Sequence, residues 1–277
     1  MYIHEQKNWP SFTWDAETIS PILGEVRHRQ GKIVGQMQAL GFRIQEETML
    51  KALTLDVIKS SEIEGELLNP EQVRSSIARR LGIEIAGALK AERDVEGIVE
   101  MMLDATQRFD TSLTAERLFD WHAALFPTGR SGIYKIKTAD WRDEVMQVTS
   151  GPMGKEKIHF EAPAASKVPV EMTVFLEWIE EETNLDPVLK AGIAHLWFVT
   201  IHPFDDGNGR IARAITDLLL ARADKTPQRF YSMSAQIQAE RNHYYDILES
   251  TQKGNLEITA WLIWFFDCLM RSMEQTD

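Results

Sequence analysis

Residues 202–213 read His-Pro-Phe-Asp-Asp-Gly-Asn-Gly-Arg-Ile-Ala-Arg. A histidine, a carboxylate, a glycine-rich turn and two arginines are brought together there. These are the parts needed to hold a nucleotide's phosphates and to take a proton from an incoming nucleophile. Imidazole suits the second task because it titrates near neutral pH. The run Asp206-Gly207-Asn208-Gly209 reads as a turn, with glycines free to adopt positive φ. Apolar residues then recur at Ile211, Ala214, Ile215, Leu218 and Leu219, so the turn empties into a buried helix. The unpaired N–H groups and dipole at such a helix start favour an anion, and glycines let phosphate oxygens approach the backbone. Arg210 and Arg213, three apart, project from nearly one face and reach the same polyphosphate. Arginine in a first turn opposes the helix dipole, a local conflict of the kind functional sites show. Taken singly, each residue fits a capped helix with a solvated loop; a bare cap, however, needs neither two arginines nor a histidine at the preceding helix end.

The elements that must position this turn are helical. Pro187 to Ile201 is a buried helix that ends at His202, because the residue before Pro203 is pushed out of helical angles. Upstream, a helix capped by Asp15 or Thr18 carries Leu23, Val26, Ile33, Val34 and Met37 and stops by Gly41. A second runs from about Gln45 to Glu64 with Gly65 after it, and Asn69-Pro70 opens a third. Ala86 to Phe109 and Thr114 to Leu125 read as helices, as do 170–183, 209–223, 234–251 and 257–273. Alternation of Met146 and Val148, then of Ile158 and Phe160, marks one short hairpin around a turn at 150–154. The expectation is an all-α fold with one β-hairpin and a boundary near residues 80–90.

Composition narrows the function. With 44% hydrophobic and 26% charged residues over 277 positions, the chain is a folded globular protein, and a formal net charge of −12 argues against a nucleic-acid-binding surface. No secretory signal or membrane span is visible, and the single cysteine, Cys268, sits in an apolar helical pattern as an inert thiol. A cytoplasmic location is expected, with no nucleic-acid or membrane partner.

Residues 202–213 match the motif of the Fic family, His-x-Phe-x-(Asp/Glu)-Gly-Asn-Gly-Arg-x-x-Arg, at every specified position, and the chain resembles that family. The similarity extends more weakly over about 90–270, including the hairpin and the stretch Arg241 to Leu248. It implies a Fic-type helical bundle whose hairpin is a flap, with an N-terminal extension over 1–85 and a catalytic domain over 86–277. It further implies transfer of AMP from ATP to a Ser, Thr or Tyr hydroxyl of a target protein, possible targets including the chain itself. His202 is then the general base, Asp206 the ligand of Mg²⁺ or Mn²⁺, and Gly207, Asn208, Gly209, Arg210 and Arg213 the phosphate holders. Tyr244 or Tyr245, with Asn242, is the expected adenine contact, Tyr245 being favoured; Phe204 faces the core, and His195 is a core histidine. Ser60 and Glu64, at i and i+4, resemble the family's inhibitory motif (Ser/Thr)-x-x-x-Glu-(Gly/Asn). A bidentate Glu64–Arg213 pair would then occupy the arginine meant for the γ-phosphate. A hydrolase that removes AMP through the same site, a transferase of phosphate or UMP, and a non-enzymatic nucleotide-binding regulator remain alternatives, and a homodimer remains open.

Overall fold

In the computed structural model, which describes residues 1–150, 157–182 and 184–274, eleven α-helices and two short antiparallel strand pairs are found among the described residues. The buried centre is a helix pair, α7 (Pro187–Ile201) and α8 (Asn208–Asp224), joined by the loop of 202–207. Every residue of α7 from Val188 onward is buried, so apolar positions run right round this helix. Asp186 caps it by accepting the Val188 N–H at 2.8 Å, with Pro187 in the first turn.

Around this pair, α1 (Ala16–Gln38) packs on α11 (Thr259–Glu274), and α2 (Phe42–Ile63) packs on α9 (Met233–Ala239). Both ends of the chain and the N-terminal extension share a single hydrophobic core with the remainder, from Ile3 to Met273. Asp15 caps α1 through the Glu17 and Thr18 amides, and Asn69 caps α3 (Pro70–Leu81) through those of Glu71 and Gln72. Polar groups fix the seating of α2. Asp56 Oδ1 accepts from the Ser232 hydroxyl at 2.5 Å and from the Ser234 N–H at 3.1 Å, while Arg229 pairs with Asp217 of α8 at 2.8 Å. The N-terminal arm is tied down as well: Trp9 Nε1 donates to Glu171 at 2.8 Å, and His4 Nε2 donates to the Glu161 carbonyl at 2.8 Å. Cys268 is buried, as expected, which pushes its thiol pKa up. No described helix is long and apolar enough to cross a membrane.

Two expectations need correction. The helix expected from Ala86 begins at Arg93 (α4, Arg93–Gln107), because the chain turns through Gly87 at φ +69° before it. The single helix expected over 234–251 is two, α9 and α10 (Arg241–Gln252), separated at Glu240 with φ −109°. The Glu240 carboxylate holds that break by a two-point pair with Arg271 of α11, at 2.6 and 2.7 Å. The expected hairpin is present as β3 (Gln147–Ser150) against β4 (Lys157–Glu161), and a separate two-residue ladder, β1 (Arg130–Ser131) against β2 (Tyr134–Lys135), accompanies it. The loop of β3–β4 and Lys155 lie outside the described residues.

Helices α4 and α5 (Ala115–Leu125) approach closely enough that a Cβ on Gly97 would collide with the Ala124 carbonyl. Gly97→Ala is therefore expected to destabilise the fold by about 1–3 kcal/mol and to lower the thermal midpoint by several degrees. An unchanged midpoint in a circular dichroism melt would show that the two helices can part without penalty.

Candidate active site

Where α7 ends, His202 takes φ +51°, a left-handed conformation that a non-glycine residue holds only when its surroundings impose it. Its Nδ1 lies 3.3 Å from the Val199 carbonyl, which can only accept, so Nδ1 carries the hydrogen and Nε2 keeps a free lone pair. Burial pushes the ring's pKa down to about 4, against the Val199 hydrogen bond that opposes the shift. The ring is thus neutral and able to accept a proton at neutral pH.

The loop after it is held from three sides. Phe204 is fully buried, and Asn208 brackets it: Oδ1 accepts the Phe204 N–H at 3.0 Å and Nδ2 donates to the Phe204 carbonyl at 2.8 Å. The Asn208 side chain thus holds the loop's shape, with one of its two Nδ2 hydrogens engaged there. His122 stacks on Phe204 at 4.3 Å, accepts the Ala139 N–H at Nδ1 (3.1 Å) and donates from Nε2 to the Asp206 carbonyl (3.2 Å). Arg142, 2% exposed, closes the third side. Its Nε donates to the His202 carbonyl at 2.8 Å, while its other nitrogens reach the Glu144 and Pro163 carbonyls at 2.8 and 2.5 Å, beside the two ends of the flap.

Asp206 stands at the cradle with Oδ1 accepting the Gly207 N–H at 2.5 Å and Oδ2 accepting the Ser131 hydroxyl of β1. Gly207 caps α8 at φ +80°, and a Cβ there would sit 2.9 Å from the Phe126 ring, so both the angle and the space demand glycine. Beyond it lies the first turn of α8, whose leading N–H groups have no partner within the helix.

The two arginines do not face open solvent. Arg213, 2% exposed, donates from Nε to the Ser60 hydroxyl at 2.9 Å and from Nη2 to the Ser60 carbonyl at 2.8 Å and to Glu64 Oε1 at 2.7 Å. The pair with Glu64 is single, not the bidentate fork expected: Oε1 meets Nη2 alone, while Ser60 takes Nε and shares Nη2. The Glu64 carboxylate also lies over Gly209, where a Cβ would collide with Oε1. Arg210, 4% exposed, has its guanidinium over Phe126 at 5.1 Å and Nη1 at 2.5 Å from Glu66 Oε2.

A cavity of about 470 Å³ opens in front of this arrangement, lined by His202, Gly209, Glu64, His159, Tyr245 and Gln252 among others. Tyr245 stands at its mouth, 36% exposed, with Arg241 over its ring at 5.4 Å. Asn242 is exposed and does not line the cavity. Tyr244 is buried and donates to His195 Nε2 at 3.0 Å; His195 in turn donates to Thr216 Oγ1 at 2.9 Å, a satisfied core histidine as expected. Strand β4 closes one wall, its His159 Nδ1 2.5 Å from Glu249 of α10.

Residues 112–220 match the Fic/DOC family, and residues 2–83 match a domain of unknown function, DUF4172. The chain carries a Fic/DOC domain. Among relatives, it is 33% identical over 115 residues to the protein adenylyltransferase Fic of Culex quinquefasciatus, a match covering 40% of this chain and 21% of that one. The chain thus spans about a fifth of the length of that relative. Its fold is similar to that of a Fic family protein from Desulfovibrio desulfuricans, with TM-score 0.65, 24% identity and coverage of 92% and 74% of the two chains. It is likewise similar to a Fic domain containing signaling protein from Bacteroides thetaiotaomicron, with TM-score 0.65, 20% identity and coverage of 94% and 96%.

Within the Fic/DOC segment three further residues, His122, Ser131 and Arg142, hold the loop without any mark in the sequence. Each acts on the loop from 60 or more positions away, and no local pattern marks any of them. Glu66 likewise carries no motif signal, although it stands two residues from Glu64 in the sequence.

Like His202, His122 has its pKa pushed down to about 4 by burial. An unfolded chain binds protons on these rings as pH falls below about 6.5, and the folded chain does not until about 4. Both rings therefore contribute stability at neutral pH that is lost between those limits. Histidine NMR at pH 5.5 is expected to show both imidazoles neutral; either ring titrating near about 6.5 would contradict their burial.

Proposed function

We propose that this chain is a protein adenylyltransferase, moving AMP from ATP to a hydroxyl side chain, and that Glu64 holds it in an inhibited state. The observation that carries this reading is the meeting of Glu64, Arg213 and Gly209 at the mouth of α8, beside a neutral His202 with a free Nε2. The Culex relative's name supports the type of transfer.

In this reading the triphosphate rests on the first turn of α8, with the Gly209 amide, Arg210 and Arg213 facing its β- and γ-phosphates, and the base lies toward Tyr245. His202 Nε2 takes the proton of the target hydroxyl as its oxygen forms a bond to the α-phosphorus. The bond from that phosphorus to pyrophosphate breaks, and the arginines hold the departing negative charge. The strand β3–β4 edge offers the target segment a backbone ladder.

Asp206 is the residue that would hold Mg²⁺ or Mn²⁺. No group of three or more metal-binding side chains occurs among the described residues, which fits a cation carried chiefly by phosphate oxygens and water on one carboxylate. The Ser131 hydroxyl fixes that carboxylate's orientation. The cation would offset phosphate charge.

Glu64 interferes in two ways: it occupies an Arg213 donor and sets a negative charge over Gly209, where a phosphate oxygen would lie. A second reading, removal of AMP from a modified protein, is favoured by one feature, the presence of Glu64 and His202 in the same cavity, where the carboxylate could align a water. Release of AMP from an adenylylated substrate by the parent chain would support it.

With α-labelled ATP and Mg²⁺, Glu64→Gly is expected to raise label transfer to protein at least about tenfold, equivalent to about 1.4 kcal/mol in the barrier. Adding His202→Ala should abolish it, and equal labelling by parent and Glu64→Gly would refute the inhibition. The same Glu64→Gly change leaves buried Arg213 without a carboxylate. It is therefore expected to lower stability by about 1–3 kcal/mol in urea denaturation even as activity rises. A more stable variant would contradict the pairing.

A further inference from the structure

We infer that Glu66 is a second inhibitory carboxylate, acting on Arg210 as Glu64 acts on Arg213, so that both phosphate-facing arginines are covered from one short segment of the extension. The inference rests on the reading of this site as a triphosphate site.

Four observations carry it. First, α2 ends at Ile63, and Gly65 takes φ +86°, which turns the chain so that residues on either side of it face the same helix start. The backbone at this turn is secured by hydrogen bonds from the Glu64 and Glu66 amides to the Ser61 carbonyl, both 3.0 Å, and from Arg241 Nε to the Ile63 carbonyl at 3.0 Å.

Second, Glu66 Oε2 meets Arg210 Nη1 at 2.5 Å, although the Glu66 side chain is 47% exposed and has water as an alternative partner. Burial at this spot raises the Glu66 pKa, with the Arg210 charge opposing the shift and Asp206 and Glu64 adding to it.

Third, neither arginine is saturated. Arg210 Nε and Arg213 Nη1 are buried and find no acceptor among the described residues. Each guanidinium, though paired, still offers a donor, and an anion with several oxygens would satisfy both better than two separate carboxylates do.

Fourth, Arg210 is held in place independently of Glu66 by the Phe126 ring at 5.1 Å, itself packed on Gly207. Loss of Glu66 leaves the guanidinium positioned rather than loose.

Glu66 therefore competes with the phosphate tail for Arg210 and adds negative charge beside it, whereas a nucleotide without the β- and γ-phosphates does not meet either carboxylate. Calorimetric titration of the parent, Glu66→Gln and Glu64→Gln chains with ATP and with AMP, in the presence of Mg²⁺, tests this. For Glu66→Gln, ATP is expected to bind about three- to fivefold tighter, the scale of a half-exposed ion pair, with AMP affinity unchanged. The double variant is expected to exceed either single one. An ATP affinity for Glu66→Gln equal to the parent's, while Glu64→Gln binds tighter, would overturn the role of Glu66. Equal tightening of ATP and AMP would overturn it as well. Failure of every chain to bind either nucleotide would instead overturn the triphosphate reading itself.

Discussion

One buried guanidinium couples the two parts of this chain. Arg213 sits in the second turn of α8, yet its partners, the Ser60 hydroxyl, the Ser60 carbonyl and the Glu64 carboxylate, all come from the end of α2. A cation buried this far is costly unless its donors are satisfied. The end of α2 is therefore held against the mouth of α8 for reasons of stability alone. The same contact sets a carboxylate over Gly209. In the proposed reading, folding and inhibition thereby share an interaction, and weakening α2's seat would expose the site.

The cradle itself depends on buried polar and aromatic packing from elsewhere in the Fic/DOC domain. Asn208 closes on the Phe204 backbone, His122 stacks under Phe204, and Arg142 grips the His202 carbonyl. Both histidines are kept neutral by burial, and the hydrogen bonds at their Nδ1 atoms decide which nitrogen carries the proton. In His122 the accepted Ala139 amide makes Nε2 the donor; in His202 the Val199 carbonyl makes Nε2 the acceptor. Identical chemistry is thus set to structural use in one ring and left available for proton transfer in the other. The Ser131 contact to Asp206 extends this support to the short β1–β2 ladder, which fastens the loop from outside.

Much of the helical framework is legible from periodicity and caps. Helices α3, α7 and α8 fall where Asn69-Pro70, Pro203 and the glycine turn set them, because these signals act through local backbone sterics. The break between α9 and α10 is not legible, since Glu240 is held by Arg271 from a distant helix and helical spacing continues across it. The short ladder at 130–135 is hidden because two residues per strand carry no alternation. At the site, the 202–213 run marks the residues that gather at the α7–α8 loop, but nothing in it marks the bracket that Asn208 forms on the Phe204 backbone. Pairing also differs: Ser60 reads as a motif marker and Glu64 as a bidentate partner, whereas Ser60 takes two of the guanidinium's donors. Tyr245 is separable from Tyr244 only once burial is known, because adjacent residues on a helix point to different environments.

The most direct test is a crystal structure of the parent and of Glu64→Gly with a non-hydrolysable ATP analogue and Mg²⁺. The account predicts that in Glu64→Gly the γ-phosphate contacts Arg213 over Gly209, with His202 Nε2 facing the α-phosphorus. In the parent, Glu64 should keep its contact with Arg213 and the terminal phosphates should be displaced. An identical, in-line triphosphate in both chains, with the Glu64–Arg213 pair intact in the parent, would contradict it.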